Sequence, residues 1–445
     1  MKLPNATVPA SAQKVRRPRP VGRLRWWIVS TLLCSTTINY ISRQTFSVLS
    51  PVITANFHLN HMELARILGA FQISYALAWL AGGIFLDAVG TRLGLALAVV
   101  FWSVVNILTA FANSALGFVI LRFGLGIGEG INWPGASKTV AEWFPDEERS
   151  VAVAIFDSGS SVGATIAILL IPWIAVIFGW RWSFVFSGLL GFAWLALWLR
   201  VYHPLDRHPS VTAEEARFIR SGQRAAQESG GQLSERWKCL ARDRNVWGIV
   251  LGRALTDPIW WFYVFWLPQY LSDARGFSLK RIALFAWMPF VAADIGNFTG
   301  GIVSSYCIRR GVPLITARRW VCAASCLPML LGIPVARVQS PYVALVLISV
   351  ALWGFASWST MGLTLPSDLF PQDVVATVTG LSGLAAGLAG AGLTFLVGFL
   401  VDRFSYSPAF LIAGLLPLLA TFFIFVLIRV PAASPDPPSC IKPAP

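Results

Sequence analysis

Apolar residues fill long, nearly continuous blocks along this chain, and short polar stretches separate one block from the next. A helix needs about 20 mostly apolar residues to cross roughly 30 Å of hydrocarbon. Blocks of that length lie at 26–50, 66–87, 92–112, 115–141, 150–178, 182–201, 245–271, 279–308, 313–336, 341–366, 374–401 and 407–430. The pattern predicts an all-α polytopic membrane protein with twelve transmembrane helices in two six-helix halves. The divisions are a basic N-terminal tail at 1–25, a first half at 26–201, a central loop at 202–244, a second half at 245–430 and a C-terminal tail at 431–445. The first block is too long for a signal-peptide core, lacks a small-x-small cleavage site and contains Arg43, so it is expected to stay as the first span. In the central loop, Thr212 followed by Glu214 and Glu215 predicts a short helix capped by the hydroxyl.

Composition agrees with a lipid-facing surface. The 445 residues are 56% hydrophobic and 13% charged, where soluble domains carry roughly 25% charged residues. Twenty Trp and thirty Phe suit a surface with aromatic residues at the interfaces. A net charge of +14 would also suit a nucleic-acid partner. Its placement argues against one: Lys14, Arg16, Arg17 and Arg19 precede the first span, and Arg207, Arg217, Arg220, Arg224, Arg236, Lys238, Arg242 and Arg244 fill the central loop. Basic residues gather on the cytoplasmic side of membrane proteins, so both termini are expected there and the bilayer is the expected partner.

The sequence offers little to an enzyme. Cys34, Cys239, Cys307, Cys322, Cys326 and Cys440 form neither a disulfide framework nor a metal-type spacing. His58, His61, His203 and His208 all fall in predicted loops, and no Walker sequence, zinc spacing or nucleophile elbow is present. No metal and no cofactor are expected. A membrane-embedded enzyme would need a His or Cys constellation at depth, and a sensor would need a soluble output domain larger than the loop at 202–244.

Charge within the blocks is more telling. An ionisable group near the bilayer centre costs several kcal/mol and is a functional-site candidate by default. Arg43, Arg122, Glu129, Asp157, Arg253, Asp257 and Asp294 all lie in apolar stretches. The guanidinium of Arg43 stays charged and offers a planar fork that matches a carboxylate; the alternative is a structural arginine paired with an acid. Arg122 lies two helical turns before Glu129 on the same face, as a static pair or as one that substrate switches. Arg253 and Asp257 are spaced to pair, and Pro258 is expected to break the seventh span locally, beside Trp260, Trp261, Tyr263 and Trp266. The glycine stripes Gly124, Gly126, Gly128, Gly130 and Gly380, Gly383, Gly387, Gly390 predict close helix packing.

Two internal matches support a duplication. Trp143-Phe144-Pro145-Asp146-Glu147 after span four is echoed by Leu369-Phe370-Pro371-Gln372-Asp373 after span ten, and Gly82-Gly83-Ile84 by Gly300-Gly301-Ile302. Duplicated transporters bind their cargo near the midplane between the repeats. The loop Gly83-Ile-Phe-Leu-Asp87-Ala-Val-Gly90-Thr-Arg92 and the run Arg122-x-x-x-Gly126-x-x-x-Gly130 resemble two signatures of the major facilitator superfamily. Within it the chain looks most like the anion:cation symporters of hexuronate and galactonate type. That resemblance rests on Asn39-Tyr40-Ile41-Ser42-Arg43, on Gly128-Glu129-Gly130 with Trp133-Pro134-Gly135, on Glu142-Trp143-Phe144-Pro145-x-x-Glu148-Arg149-Ser150, and on Phe285-Ala286-Trp287-Met288-Pro289 running into Ala293-Asp294.

The resemblance implies a major facilitator fold in the inner membrane, expected as a monomer, importing a small organic anion of the sugar-acid class with a coupling cation, H⁺ or Na⁺. It implies that Arg43 grips the substrate carboxylate, with Asn39, Tyr40, Tyr75 and Trp358 in the same binding site. Glu129, with Arg122, takes the proton-coupling role. Asp87 and Arg92 of the loop motif are conformational residues, and Asp157, Arg253, Asp257 and Asp294 are assigned to gates, Asp294 with Na⁺ or Asn297 as further partners. One position departs from the galactonate type, which carries an aspartate where this chain has Ser42; hexuronate-type members also carry a hydroxyl there. The alternative within the fold is an exporter of drugs or metabolites by proton antiport.

Overall fold

The apolar blocks become helix. The computed structural model describes residues 23–221, 240–370 and 372–429. The tail basic residues, Arg224, Arg236, Lys238, Cys239, Cys440 and the segment 431–445 lie outside the described residues. The first half holds α1 (Leu24–Phe57), α2 (His61–Val89), α3 (Thr91–Thr109), α4 (Ala115–Gly130), α5 (Asn132–Trp143), α6 (Asp146–Phe178) and α7 (Trp180–Val201). The loop helix α8 spans Ala213–Ser221. The second half holds α9 (Arg244–Asp273), α10 (Leu279–Phe285), α11 (Met288–Arg309), α12 (Leu314–Leu330), α13 (Pro341–Leu369), α14 (Gln372–Arg403) and α15 (Tyr406–Leu427). With α4 and α5 forming one span and α10 and α11 another, six spans stand on each side of the central loop.

Nine spans among the described residues are long and apolar enough to cross a membrane, and α2 makes a tenth when its two bent parts are joined. The other two, α1 and α9, run 34 and 30 residues. They are long enough, but their buried Ser, Thr, Asn, Gln and Arg residues lower their hydropathy. The two spans that carry the Arg43 and Arg253 clusters are therefore among the less greasy ones.

Glycine decides how the first half packs. A Cβ at Gly126 would lie 2.0 Å from the Ser74 hydroxyl and 2.5 Å from the Phe71 carbonyl, and one at Gly130 would lie 2.8 Å from Ala78 and from the Tyr75 carbonyl. The backbones of α4 and α2 approach as closely as they do because those positions carry no side chain. Span four then breaks at Ile131, between α4 and α5.

Two local expectations have direct outcomes. Thr212 does cap α8, its hydroxyl accepting the Glu215 N–H at 3.2 Å. Pro258 does not break its span: α9 is continuous from Arg244 to Asp273 with Pro258 and Pro268 inside it. A proline removes one backbone donor, and packed neighbours and Ser/Thr side chains hold a membrane helix together around it; the Thr256 hydroxyl donates to the Gly252 carbonyl one turn away. The duplicated motif shows as duplicated geometry. Phe144 and Phe370 both leave their helices in extended conformation, at φ −122° and −123°, with their N–H groups still bonded to Val140 and Pro366.

The halves touch through α2 against α14, α1 against α9, and α6 against α10 and α11. A Cβ on Gly398 would meet Ala65 at 2.5 Å and one on Gly387 would meet Ala76 at 2.8 Å, whereas at Gly380 and Gly383 it would meet nothing within 4 Å. The α2–α14 seam is thus tight at the end remote from the central loop, the far end, and parts toward the loop end. Gly126→Leu is expected to lower the stability of the purified protein by about 1–3 kcal/mol through overpacking, read as an earlier thermal unfolding midpoint; an unchanged midpoint would mean that α2 and α4 can separate freely.

Candidate functional site

Arg43 lies near the middle of α1 and is 1% exposed; Glu129, at the end of α4 beside the helix break, is fully buried. The Arg43 Nε donates to Glu129 Oε2 at 3.2 Å and its Nη2 donates to Asn39 Oδ1 at 3.0 Å. Asn39 in turn donates to the Glu129 carbonyl at 3.4 Å. Around the guanidinium stand aromatic faces, with ring centroids 4.4 Å (Tyr40), 4.5 Å (Tyr75), 5.2 Å (Phe71) and 5.4 Å (Trp261) from Cζ. Such faces attract a cation through the ring quadrupole. Trp261 belongs to α9, so one wall of the box comes from the other half. Arg43 therefore lies in the interface between the halves and away from lipid, where their separation would uncover it.

Arg122 occupies the level beneath, fully buried against Phe71 at 4.6 Å and Phe46 at 5.0 Å. Its Nη2 donates to the Arg43 carbonyl at 3.4 Å. The sequence had suggested an Arg122–Glu129 pair; Glu129 takes Arg43 instead, across from the neighbouring helix. Glu129 Oε1, Arg122 Nε and Nη1, and the hydroxyl of Ser42 are buried with no hydrogen-bond partner among the described residues. Two guanidinium groups here face a single carboxylate. A buried charge normally demands a partner, so these three residues carry one more cation than anion, with donors left unused.

Of the other sequence candidates, Asn39, Tyr40 and Tyr75 join Arg43, and Trp358 does not. It is fully buried inside the second half, where its indole N–H donates to the Thr421 hydroxyl of α15 at 2.9 Å. Asp87 pairs with Lys138 of α5, and Arg92 donates to the Leu199 carbonyl at 2.6 Å, both at the loop end and within the first half. Arg253 binds Asp257 at 2.8 Å and donates to the Ser382 hydroxyl of α14 at 2.9 Å. Asp157 lies on α6 and Asp294 on α11, elements that touch across the halves. Asn297 accepts the Thr360 hydroxyl at 3.1 Å.

Sequence reasoning missed His61. Placed there in a loop, it is the first residue of α2, and both ring nitrogens face carboxylates of the second half, Asp402 at 2.7 Å and Asp273 at 2.9 Å. A readable signal existed in Asn60 followed three residues later by Glu63, a capping box that marks a helix start.

Comparison with known proteins places this geometry. The model of the Major Facilitator Superfamily matches residues 32–394. The chain belongs to the major facilitator superfamily. It is a multi-span membrane transporter and not an enzyme. A hexuronate transporter of Escherichia coli is 34% identical over 415 residues, covering 92% of this chain and 95% of that protein. A galacturonate transporter of Dickeya chrysanthemi is 34% identical over 325 residues, covering 72% and 94%. Among solved structures, a bacterial homologue of the human lysosomal transporter Spinster, in an inward-facing and unoccupied conformation, superposes with a TM-score of 0.75 at 18% identity, covering 92% of this chain and 99% of that one.

In this facilitator chain, removing Arg43 strands Glu129 as an unpartnered buried carboxylate. Breaking a buried ion pair from one side costs about 3–5 kcal/mol, so Arg43→Ala is expected to lower the thermal midpoint markedly, and adding Glu129→Gln is expected to restore much of the loss. Strictly additive midpoint shifts in the two single variants and the double variant would deny the coupling.

Proposed function

We propose that this transporter imports a sugar-acid anion, a hexuronate or a related monocarboxylate, together with a proton, by alternating access. One observation carries the reading: Arg43, Arg122 and Glu129 are buried together, and Arg43 faces Trp261 of the other half. An interior with excess positive charge favours a negatively charged guest, and the Arg43 fork suits a carboxylate. Asn39, Tyr40 and Tyr75 beside it supply amide and hydroxyl groups of the kind that sugar hydroxyls bond. The relatives described as hexuronate and galacturonate transporters support the same substrate class. An exporter of neutral, greasy compounds would have little use for this charge.

Coupling follows from competition. The substrate carboxylate and the Glu129 carboxylate want the same guanidinium. A proton on Glu129 weakens its hold on Arg43 and frees the fork, so proton and anion each favour binding of the other, reciprocally and by a factor of about 5 to 150 if the coupling is ordinary. The unpartnered Oε1 offers a place for that proton. Two adjacent guanidinium groups would repel a sodium ion at the same spot, by several kcal/mol at an effective dielectric near 20, so a proton is the cation that fits. The basic residues at the loop end, among them Arg92, Lys138, Arg200, Arg217 and Arg220, support a cytoplasmic position for that end by the positive-inside rule.

In proteoliposomes with labelled galacturonate or glucuronate, Arg43→Ala is expected to reduce uptake to background. Glu129→Gln is expected to keep substrate exchange while losing accumulation driven by a pH gradient. Gradient-driven accumulation by Glu129→Gln at the parent level would remove Glu129 from coupling, and full uptake by Arg43→Ala would end the anion-carrier reading.

A further inference from the structure

The far end of the interface holds a second cluster of ionisable groups that the transport site does not use. His61 opens α2; Asp273 closes α9 and Asp402 lies in the last turn of α14. His61 Nδ1 is 2.7 Å from Asp402 Oδ1 and Nε2 is 2.9 Å from Asp273 Oδ2. Asp402 also receives the backbone N–H groups of His61 at 2.9 Å and Met62 at 2.8 Å, so an acid of the second half caps a helix of the first. Asp273 receives the Tyr406 hydroxyl of α15 at 3.0 Å and the Gln269 amide at 2.9 Å; the same amide reaches Thr54 of α1 at 3.3 Å. Trp266 stacks on the imidazole at 6.4 Å between centroids.

The protonation of this cluster is set by its donors. A neutral imidazole has one N–H and one lone pair, so it can satisfy one carboxylate while turning the lone pair on the other; only the imidazolium donates to both. Both carboxylates are already held by other donors, which suits their ionised forms. Of the other charged neighbours, Glu63 accepts the Asn60 N–H, Arg275 is bonded to the Tyr270 hydroxyl and to the carbonyls of Val335 and Val338, and Arg66 and Arg403 are exposed. Among the described residues, His61 is the one basic side chain bonded to Asp273 or Asp402. The three side chains are each about a third exposed, at 28%, 31% and 30%, and a crevice lined by Asp273, Val401, Ser405 and Tyr406 opens beside them. Protons can reach the cluster from the far side without passing the transport site.

We propose that His61, Asp273 and Asp402 form a proton-binding latch that closes the far end of the transporter when the imidazole is charged and releases it when that proton leaves. Closure is full at acidic pH and fades as pH rises through the titration of His61. This goes beyond the substrate reading and needs only that the halves separate at the far end.

Thr394 reports on that separation. It is buried on α14 in helical register with Gly387 and Gly398, the residues that face α2, and its hydroxyl has no partner. In a cysteine-free, monodisperse background in nanodiscs, Thr394→Cys is labelled with a maleimide at about pH 5.5 and about pH 9, below and well above an ordinary imidazole titration. Each rate is normalised to that of the denatured protein at the same pH, to remove thiol ionisation. The expected result is a normalised rate on the order of tenfold higher at the upper pH, fast and pH-insensitive labelling in His61→Gln, and the same in Asp273→Asn with Asp402→Asn. A pH ratio unchanged by His61→Gln, or slow labelling of the double carboxamide variant at both pH values, overturns the latch. No substrate is present, so failure here leaves the sugar-acid reading standing, and failure of uptake leaves this result standing.

Discussion

The Arg43–Glu129 pair is the constraint around which the first half is organised. Each ion taken into a dry interior carries an effective penalty of several kcal/mol, and here there are three of them with unequal signs. Asn39, the carbonyl of Arg43 itself and a ring of aromatic faces offset part of that penalty. Delivering them requires helices closer than side chains usually permit. Gly126 and Gly130 let α4 meet α2, and at Gly163 a Cβ would lie 2.3 Å from the Thr37 carbonyl, so α6 presses on α1 beside Tyr40. The glycine stripes and the buried charges are two parts of one arrangement.

Much of this was legible in the sequence because the membrane makes the signal loud. Twelve apolar blocks, the duplicated Phe-Pro turns and the paired glycine motifs require only counting and spacing. Arg43, Arg122 and Glu129 stand out because a charge in hydrocarbon has to be explained. What the chain could not disclose was pairing. Spacing along one helix favours Arg122 with Glu129, but the partner that fits comes from a different helix, 86 positions away, and no local pattern encodes that distance. Trp358 shows the same limit: nothing along the chain tells that the hydroxyl of Thr421, on a distant helix, accepts its indole N–H. His61 was hidden by its neighbourhood, since a histidine just outside an apolar block looks like loop until the capping pattern around Asn60 is weighed.

Polar contacts are distributed unevenly over the molecule. At the loop end Arg25 holds Glu148 and Glu215, Asp87 holds Lys138, and Arg318 of α12 holds Asp368 of α13, each of these pairs lying within one half and its adjoining loop. At the far end, His61, Met62 and Thr54 bond across to the other half. Among the described residues, the ion pairs of the loop end thus tie each half internally, and those of the far end tie it to its neighbour.

That asymmetry has a kinetic consequence. In the proposed import cycle, an empty carrier must sever every far-end tie before it can collect fresh cargo, whereas a carrier that swaps one guest for another at the loop end severs none. Reorientation without load is then the leg of that proposed cycle which this handful of partly wet ionic bonds resists, independently of the grip on cargo.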